Sequence, residues 1–221
     1  MFRAFRNIFF VITAFLVFSC SVFKLKNSIP NETMVEMVTS EGTVVLKLYN
    51  ETPLHRDNFK KLVESKFYDG IKFHRVINGF MAQAGDPNSK KDDFKGQLGQ
   101  NSEGETIPAE INPSLFHKKG ALAAARMGDN VNPEKKSSGS QFYIVQGRKI
   151  SLQQLTQMES NINQKVKNYQ HTENNFHFSD SAKKVYQEIG GTPFLDNGYT
   201  VFGEVTQGIE IIDKICSVKT A

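Results

Sequence analysis

Hydrophobic and polar positions alternate through most of this chain in short runs broken by turn residues. In "TMVEMVTSEGTVVLKLYN" (33–50), β-branched and aliphatic residues lie on both sides of "SEG", which predicts two strands joined by a tight turn. "LHRDNFKKLVESKF" then sets Phe59, Leu62 and Val63 at i, i+3, i+4 with charges opposite. This predicts an amphipathic helix starting near Pro53, across one end of a sheet. "FHRVINGFMAQAGD" (73–86) reads as a hairpin, "PNSKKDDFKGQLGQNSEGETIPAEI" (87–111) as a polar loop, and "GALAAA" (120–125) and "SQFYIVQ" (140–146) as apolar strands. "YTVFGEVTQGIEIIDKICSV" predicts a strand, a turn at Gln207–Gly208, and a helix or strand carrying Ile209, Ile211, Ile212 and Ile215. Many short strands and few helices predict a mainly β fold, a closed antiparallel barrel capped by helices.

Residues 148–192 break that rhythm. Leu152, Leu155, Ile162, Val166 and Tyr169 recur at helical spacing, and Ala182, Val185, Tyr186 and Ile189 fall at i, i+3, i+4, i+7 before Gly190–Gly191. Two helices inserted between barrel strands are expected, the second capped by Ser179 or Asp180. They would cover a barrel flank or offer a partner surface. His171 and His177 lie in this insertion without further ligands at metal-binding spacing, so no metal site is expected.

The N-terminus differs in kind from the rest. "MFRAFRN" is basic and "IFFVITAFLVF" is apolar but for Thr13. That run is too short to span a ~30 Å hydrocarbon layer and reads as the core of a secretory signal, residues 1–19. "VFSC" resembles the lipobox of bacterial lipoproteins, with Cys20 as the lipidated residue; an ordinary signal peptide with an incidental Cys20 is the alternative. Residues 20–32 then read as lipid attachment and tether, and 33–221 as the domain that holds the 148–192 insertion. With Cys20 lipidated, only Cys216 remains of two cysteines, so no internal disulfide forms. Loss of Arg3 and Arg6 leaves 25 basic against 23 acidic residues, and the bases are scattered. No nucleic-acid partner is implied.

"FHRVINGFMAQAGD", "GALAAARMGD", "GSQFYI" and "FLDNGYTVFGEV" occur in the order and approximate spacing of the cyclophilin family of peptidyl-prolyl isomerases. The resemblance spans residues 34–218 apart from the insertion, which is similar to those of bacterial exported members. It implies an eight-stranded antiparallel barrel closed by two helices, with the active site on the outer face. It implies rotation about X–Pro bonds in extracytoplasmic proteins, assisting their folding, with proline-containing unfolded or flexible polypeptides as partners. No cofactor is implied, and the protein would act as a lipid-anchored monomer of the cell envelope. The alternative is a non-catalytic proline-peptide-binding or chaperone module on the same scaffold.

The chemistry asks for little apparatus. An X–Pro bond isomerises over a barrier near 20 kcal/mol because amide resonance is lost at the twisted midpoint. There the prolyl nitrogen regains a lone pair, so a donor aimed at it binds the transition state better than either planar ground state. Arginine suits this, with fixed donors and a permanent charge. By resemblance, Arg75 matches the catalytic arginine, Phe80 and Met81 line the proline pocket, and Gln83 is the glutamine of that strand. Ala125 and Arg126 match peptide-binding positions, with the main chain of Arg126 holding substrate and its side chain mattering less. Gln141, Tyr143, Phe194, Leu195 and Tyr199 complete the substrate-binding set.

Three of these depart from the family pattern. Phe194 stands where many eukaryotic members have Trp, which implies weaker cyclosporin binding. Tyr199 stands where those members place His, and Tyr143 where a Phe is common; its hydroxyl needs a partner if buried. Taken singly, Arg75 could be a core-edge cation paired with Glu110 or Asp86, Phe80 and Met81 could be core, and Gln83 and Gln141 satisfied strand polars. Hairpin register separates the readings. A two-residue Asn78–Gly79 turn sets Arg75 opposite Ala82, with Gln83 on the other face, whereas a three-residue loop sets Arg75 opposite Gln83.

Overall fold

The computed structural model describes residues 22–26, 32–170 and 176–218, with the side chains of 22–26 and 165–170 outside that description. Residues 1–19, expected to form a secretory signal, together with Cys20 and His171 therefore lie outside the described residues, as do the side chains of Val166 and Tyr169. The strands are β1 (Val22–Lys26), β2 (Thr33–Thr39), β3 (Gly42–Leu48), β4 (Arg75–Ile77), β5 (Met81–Ala84), β6 (Ala121–Ala124), β7 (Phe142–Val145) and β8 (Val201–Gln207). The helices are α1 (Pro53–Glu64), α2 (Leu152–Gln170), α3 (Asp180–Glu188) and α4 (Ile209–Ser217).

All eight strands join one antiparallel sheet in the order β1-β2-β3-β8-β6-β7-β5-β4. Two features refine the expected barrel. Seven strands come from residue 33 onward, and the eighth, β1, comes from the stretch read as a tether, running antiparallel to β2 from Val22↔Val38 to Lys26↔Met34. The sheet also stops at a curled half-barrel: its end strands β1 and β4 are not paired with each other. Strand β4 offers only three residues, and helices cover the gap, α4 lying against β3, β4 and β5 and α1 against β1 and β8. Register shifts at Val45/Leu46 and Leu122/Ala123 add local bending.

Alternation explains the core. Val35 and Met37 on β2 and Val44, Leu46 and Leu48 on β3 enter the barrel interior, while their neighbours face outward. There they meet Phe59, Leu62 and Val63 of α1 and Ile211, Ile212 and Ile215 of α4. Phe59 packs edge-on against Phe142 and tilted against Tyr68 and Phe202, with centroids 4.9–5.4 Å apart. Pro53 opens α1 as expected, but Thr52 makes no side-chain cap. Glu110 supplies it from 56 residues away, accepting from the backbone N–H groups of Leu54 at 3.0 Å and His55 at 2.9 Å. A carboxylate there answers both the orphan donors and the helix dipole.

Strands β6 and β7 are buried on both faces. Leu122, Ala124, Phe142 and Ile144 face the interior. Ala121, Ala123, Tyr143 and Val145 face outward, with Met81, Ala125 and Val201, into a second apolar cluster. The inserted helices form a third around Leu155, Ile162, Phe178, Ala182 and Tyr186. Ser179 caps α3, its hydroxyl accepting from Ala182 N–H at 3.1 Å, and Gly190 ends it at φ 89°. Arg148 and Gly191 bridge the insertion's two ends.

Leu46 is fully enclosed, so Leu46→Ala is expected to lower unfolding free energy by about 2–5 kcal/mol. Urea titration checks this; a loss under about 1 kcal/mol would mean that the site collapses around the missing atoms.

Candidate active site

The Asn78–Gly79 hairpin takes the three-residue loop. Arg75 pairs with Gln83, Val76 with Ala82 and Ile77 with Met81. The asparagine–glycine dipeptide alone favours the tighter turn, yet tertiary contacts overrule it. Phe80 N–H donates to Ile77 C=O at 3.0 Å, and Phe80 C=O accepts from the N–H groups of both Gln146 and Gly147. Gly79 has φ 76° and donates its N–H to Gln146 Oε1 at 2.6 Å. A Cβ there would meet only the movable end of the exposed Arg148 side chain, so it is the left-handed backbone that favours glycine.

Arg75, Met81 and Gln83 thus share the outer face of the sheet. The Arg75 side chain is exposed and forms no ion pair among the described residues. The bland alternatives fall away because Glu110 is committed to α1 and His55, and Asp86 accepts from the N–H groups of Asn88, Gly99 and Asn101. Instead Arg75 Nη1 donates to Gln83 Oε1 at 3.3 Å, and its guanidinium stands 5.8 Å from the Phe80 ring centre. Gln83 Nε2 donates to Gln141 Oε1 at 2.9 Å. Gln141 Nε2 in turn donates to the carbonyls of Gly99 and Asn101. This row fixes both amide orientations and turns the Gln83 oxygen toward the arginine.

A shallow cleft opens beside it, lined by Arg75, Phe80, Met81, Gln83, Ala125, Arg126, Tyr143, Leu195 and Tyr199. These are nine of the eleven non-lipidation residues singled out from the sequence. The other two stand back from it. Gln141 faces an adjoining groove and holds Gln83. Phe194 is 47% exposed at the rim, its ring 5.5 Å from that of Phe80. Met81 is both wall and core: 1% exposed, it belongs to the cluster beneath the cleft.

The Arg126 side chain corrects an expectation. Expected to matter less than its main chain, it is 4% exposed and ion-paired to Asp129 at 2.6 Å. Its Nε donates to Gly198 C=O at 2.6 Å and its Nη1 to Met127 C=O at 2.8 Å. The guanidinium lies 4.5 Å from the Tyr199 ring centre, a cation–π contact that fixes this wall of the cleft.

Sequence reasoning asked for a partner to the Tyr143 hydroxyl without finding one. It is His117, whose Nε2 lies 3.0 Å away. Nothing in "FHKKG" marks that histidine; the only usable signal was the hydroxyl's own need. Burial pushes Tyr143 well above the usual phenol range, so it stays protonated and is able to donate. His74, beside Arg75, titrates below the usual 6.5, chiefly through burial, with Asp86 opposing and Arg75 assisting. No second cation therefore forms next to the arginine near neutrality. Groups of three or more His, Cys, Asp or Glu side chains able to hold a metal ion do not occur among the described residues.

The model of the cyclophilin type peptidyl-prolyl cis-trans isomerase/CLD family matches residues 34–221. A Staphylococcus haemolyticus protein that carries the provisional name peptidyl-prolyl cis-trans isomerase is 34% identical over 190 residues, covering 86% of this chain and 83% of the relative. A Staphylococcus aureus protein with the same provisional name is 33% identical over 189 residues, covering 85% and 83%. Among solved structures, a Cryptosporidium parvum cyclophilin type peptidyl-prolyl cis-trans isomerase superimposes with TM-score 0.59 at 22% identity, covering 86% of this chain and 87% of that one. The same protein in the presence of the dipeptide Ala-Pro gives TM-score 0.57 at 21% identity, covering 85% and 87%.

His55 is also held below 6.5, by burial that outweighs its bond to Glu110. The unfolded chain protonates both histidines near the usual value, whereas the folded chain resists. Stability from this source is complete above about pH 6.5 and falls as pH drops toward the folded-state values, by up to about 1.4 kcal/mol per unit per histidine. Urea midpoints are expected to decline between about pH 7.5 and 5.5, a window above carboxylate titration. A flat or rising profile there would contradict the burial argument.

Proposed function

Because the chain belongs to the cyclophilin family of peptidyl-prolyl cis-trans isomerases, whose activity it shares, we propose that Arg75 is its catalytic group and that the cleft beside it seats the proline. The observation that carries this is the convergence of an exposed, carboxylate-free guanidinium, a buried thioether and an oriented amide on one face of one hairpin. Phe80, Met81, Tyr143, Leu195 and Tyr199 form the apolar seat for the ring. Gln83, itself held by Gln141, steers the guanidinium toward the prolyl nitrogen. The guanidinium then donates to the nitrogen lone pair that exists only in the twisted state, which lowers the barrier without binding either planar form more tightly. The backbone beside Ala125 and Arg126 grips the peptide, and Phe194 extends the rim. Proline-containing polypeptides are the partners; the fold neighbour studied with Ala-Pro supports the choice of a proline dipeptide unit. The cleft is complete within one chain, which supports action as a monomer.

Its place is the cell envelope, where it assists folding of exported proteins. The basic, apolar and cysteine-terminated N-terminus supports this, with residues 1–19 removed and Cys20 lipidated. In that arrangement the domain sits close to the bilayer, since β1 begins at Val22 and two residues of chain reach at most ~7 Å.

A charge-assisted hydrogen bond is worth about 1.5–3 kcal/mol, so Arg75→Ala is expected to lower kcat/KM by about 10- to 100-fold. A protease-coupled assay on an X–Pro peptide measures this, with the melting temperature unchanged because the side chain is exposed. Equal rates for the two proteins would remove the catalytic assignment and leave a binding module. For the anchor, cells fed radioactive fatty acid should label the wild type and not Cys20→Ala; an unlabelled wild type refutes lipidation.

A further inference from the structure

The pocket floor is joined to the insertion by a buried polar row that an apolar cyclophilin core does not need. Tyr143 is 5% exposed, His117 1%, Asp196 7% and Tyr186 0%. Asp196 Oδ1 accepts from His117 backbone N–H at 2.9 Å and lies 2.6 Å from His117 Nδ1. Its Oδ2 accepts from the Tyr186 hydroxyl at 2.6 Å. With Nδ1 carrying the proton toward the carboxylate, Nε2 is left to accept from the Tyr143 hydroxyl at 3.0 Å. Every polar atom in the row is satisfied, the tyrosine hydroxyls at its two ends being seated by this histidine and this carboxylate.

The two ends belong to different parts of the molecule. Tyr186 lies on α3 of the insertion, within its own apolar cluster and edge-on to Phe116 and Phe178. Tyr143 lies on β7, stacked at 10° on His117 and edge-on to Tyr199. Between them, Asp196 directly follows Leu195, a wall of the cleft. The chain segment that carries Leu195 is also pinned to His117 by Thr192 N–H donating to His117 C=O at 2.8 Å.

We propose that Tyr186, Asp196 and His117 are positioning residues through which the insertion sets the Tyr143 floor and the Leu195 wall of the proline seat. A ring in a strand keeps freedom to tilt about its side-chain torsions. Anchoring its hydroxyl to a buried histidine held at its backbone and at its ring restricts that freedom, and helix α3 supplies the last anchor. The insertion is then part of the isomerase machinery, acting on the substrate seat without touching substrate. This rests on the reading of the Arg75 cleft as the isomerase site.

A double-mutant cycle on kcat/KM tests it. Tyr186→Phe removes only the distant hydroxyl and is expected to lower kcat/KM about threefold to tenfold in the otherwise native protein. In a Tyr143→Phe background, where the floor is already uncoupled, the same change should cost less than about twofold. Ile162→Val loosens the same apolar cluster without touching the row, and should lower the melting temperature while leaving kcat/KM unchanged. Equal effects of Tyr186→Phe in both backgrounds, or an activity loss in Ile162→Val as large as in Tyr186→Phe, overturn the proposal. If Tyr186→Phe does not fold, Asp196→Asn takes its place in the cycle with the same expected outcomes. Arg75→Ala in the same assay separates the two readings: wild-type turnover there removes the site itself, whereas an inactive Arg75→Ala with an additive cycle removes only the coupling.

Discussion

Strand side chains alternate between faces, so the pairing of Ile77 with Met81 instead of Phe80 sends Arg75, Met81 and Gln83 outward together and Val76, Ala82 and Ala84 inward. A tighter turn would have put the guanidinium and the amide on opposite faces and left one of them against the core. The loop residues are held in that register from outside the hairpin, by Gln146 and Gly147 on the strand side and by Arg148 packed over Gly79. The register is thus a property of the β5–β7 neighbourhood as much as of the hairpin, and the whole outer-face site depends on it.

That face can carry a pocket because β6 and β7 bury apolar side chains on both sides. Alanines at 121, 123 and 125 keep the outer layer thin, which leaves room for Met81 and for a cleft above it, while Leu122, Phe142 and Ile144 fill the interior. A larger residue in the alanine run would fill the space that the proline ring is proposed to occupy. The same strands therefore secure the fold on one face and shape the seat on the other.

Two polar arrangements rigidify the walls. Arg126 binds two carbonyls, one carboxylate and the Tyr199 ring, which joins the loop after β6 to the segment before β8. On the opposite side, His117 and Asp196 tie the floor to the insertion. Tyr143 and Tyr199 each have a polar or charged partner, His117 at the first hydroxyl and the Arg126 guanidinium over the second ring. The inserted helices are thus joined to the back of the pocket through Tyr186 and Asp196.

The linear order of residues was enough for the strands around Ser40–Glu41, the start of α1 at Pro53, the two inserted helices with a cap at Ser179 or Asp180 and a glycine stop, and the set of side chains around the cleft. The secondary-structure features are local, following from periodicity, caps and turns within a few residues of one another, whereas the cleft residues were implied by the resemblance of four separate motifs to one family. It was not enough for the hairpin register, the remote capping of α1 by Glu110, the extra edge strand at Val22–Lys26, the half-closed sheet, the clamping role of Arg126 or the partner of Tyr143. Each of these depends on groups dozens of residues apart in the chain, whose meeting is decided by how the elements pack. A buried hydroxyl announces that it needs an acceptor, but only the folded chain brings His117 to it.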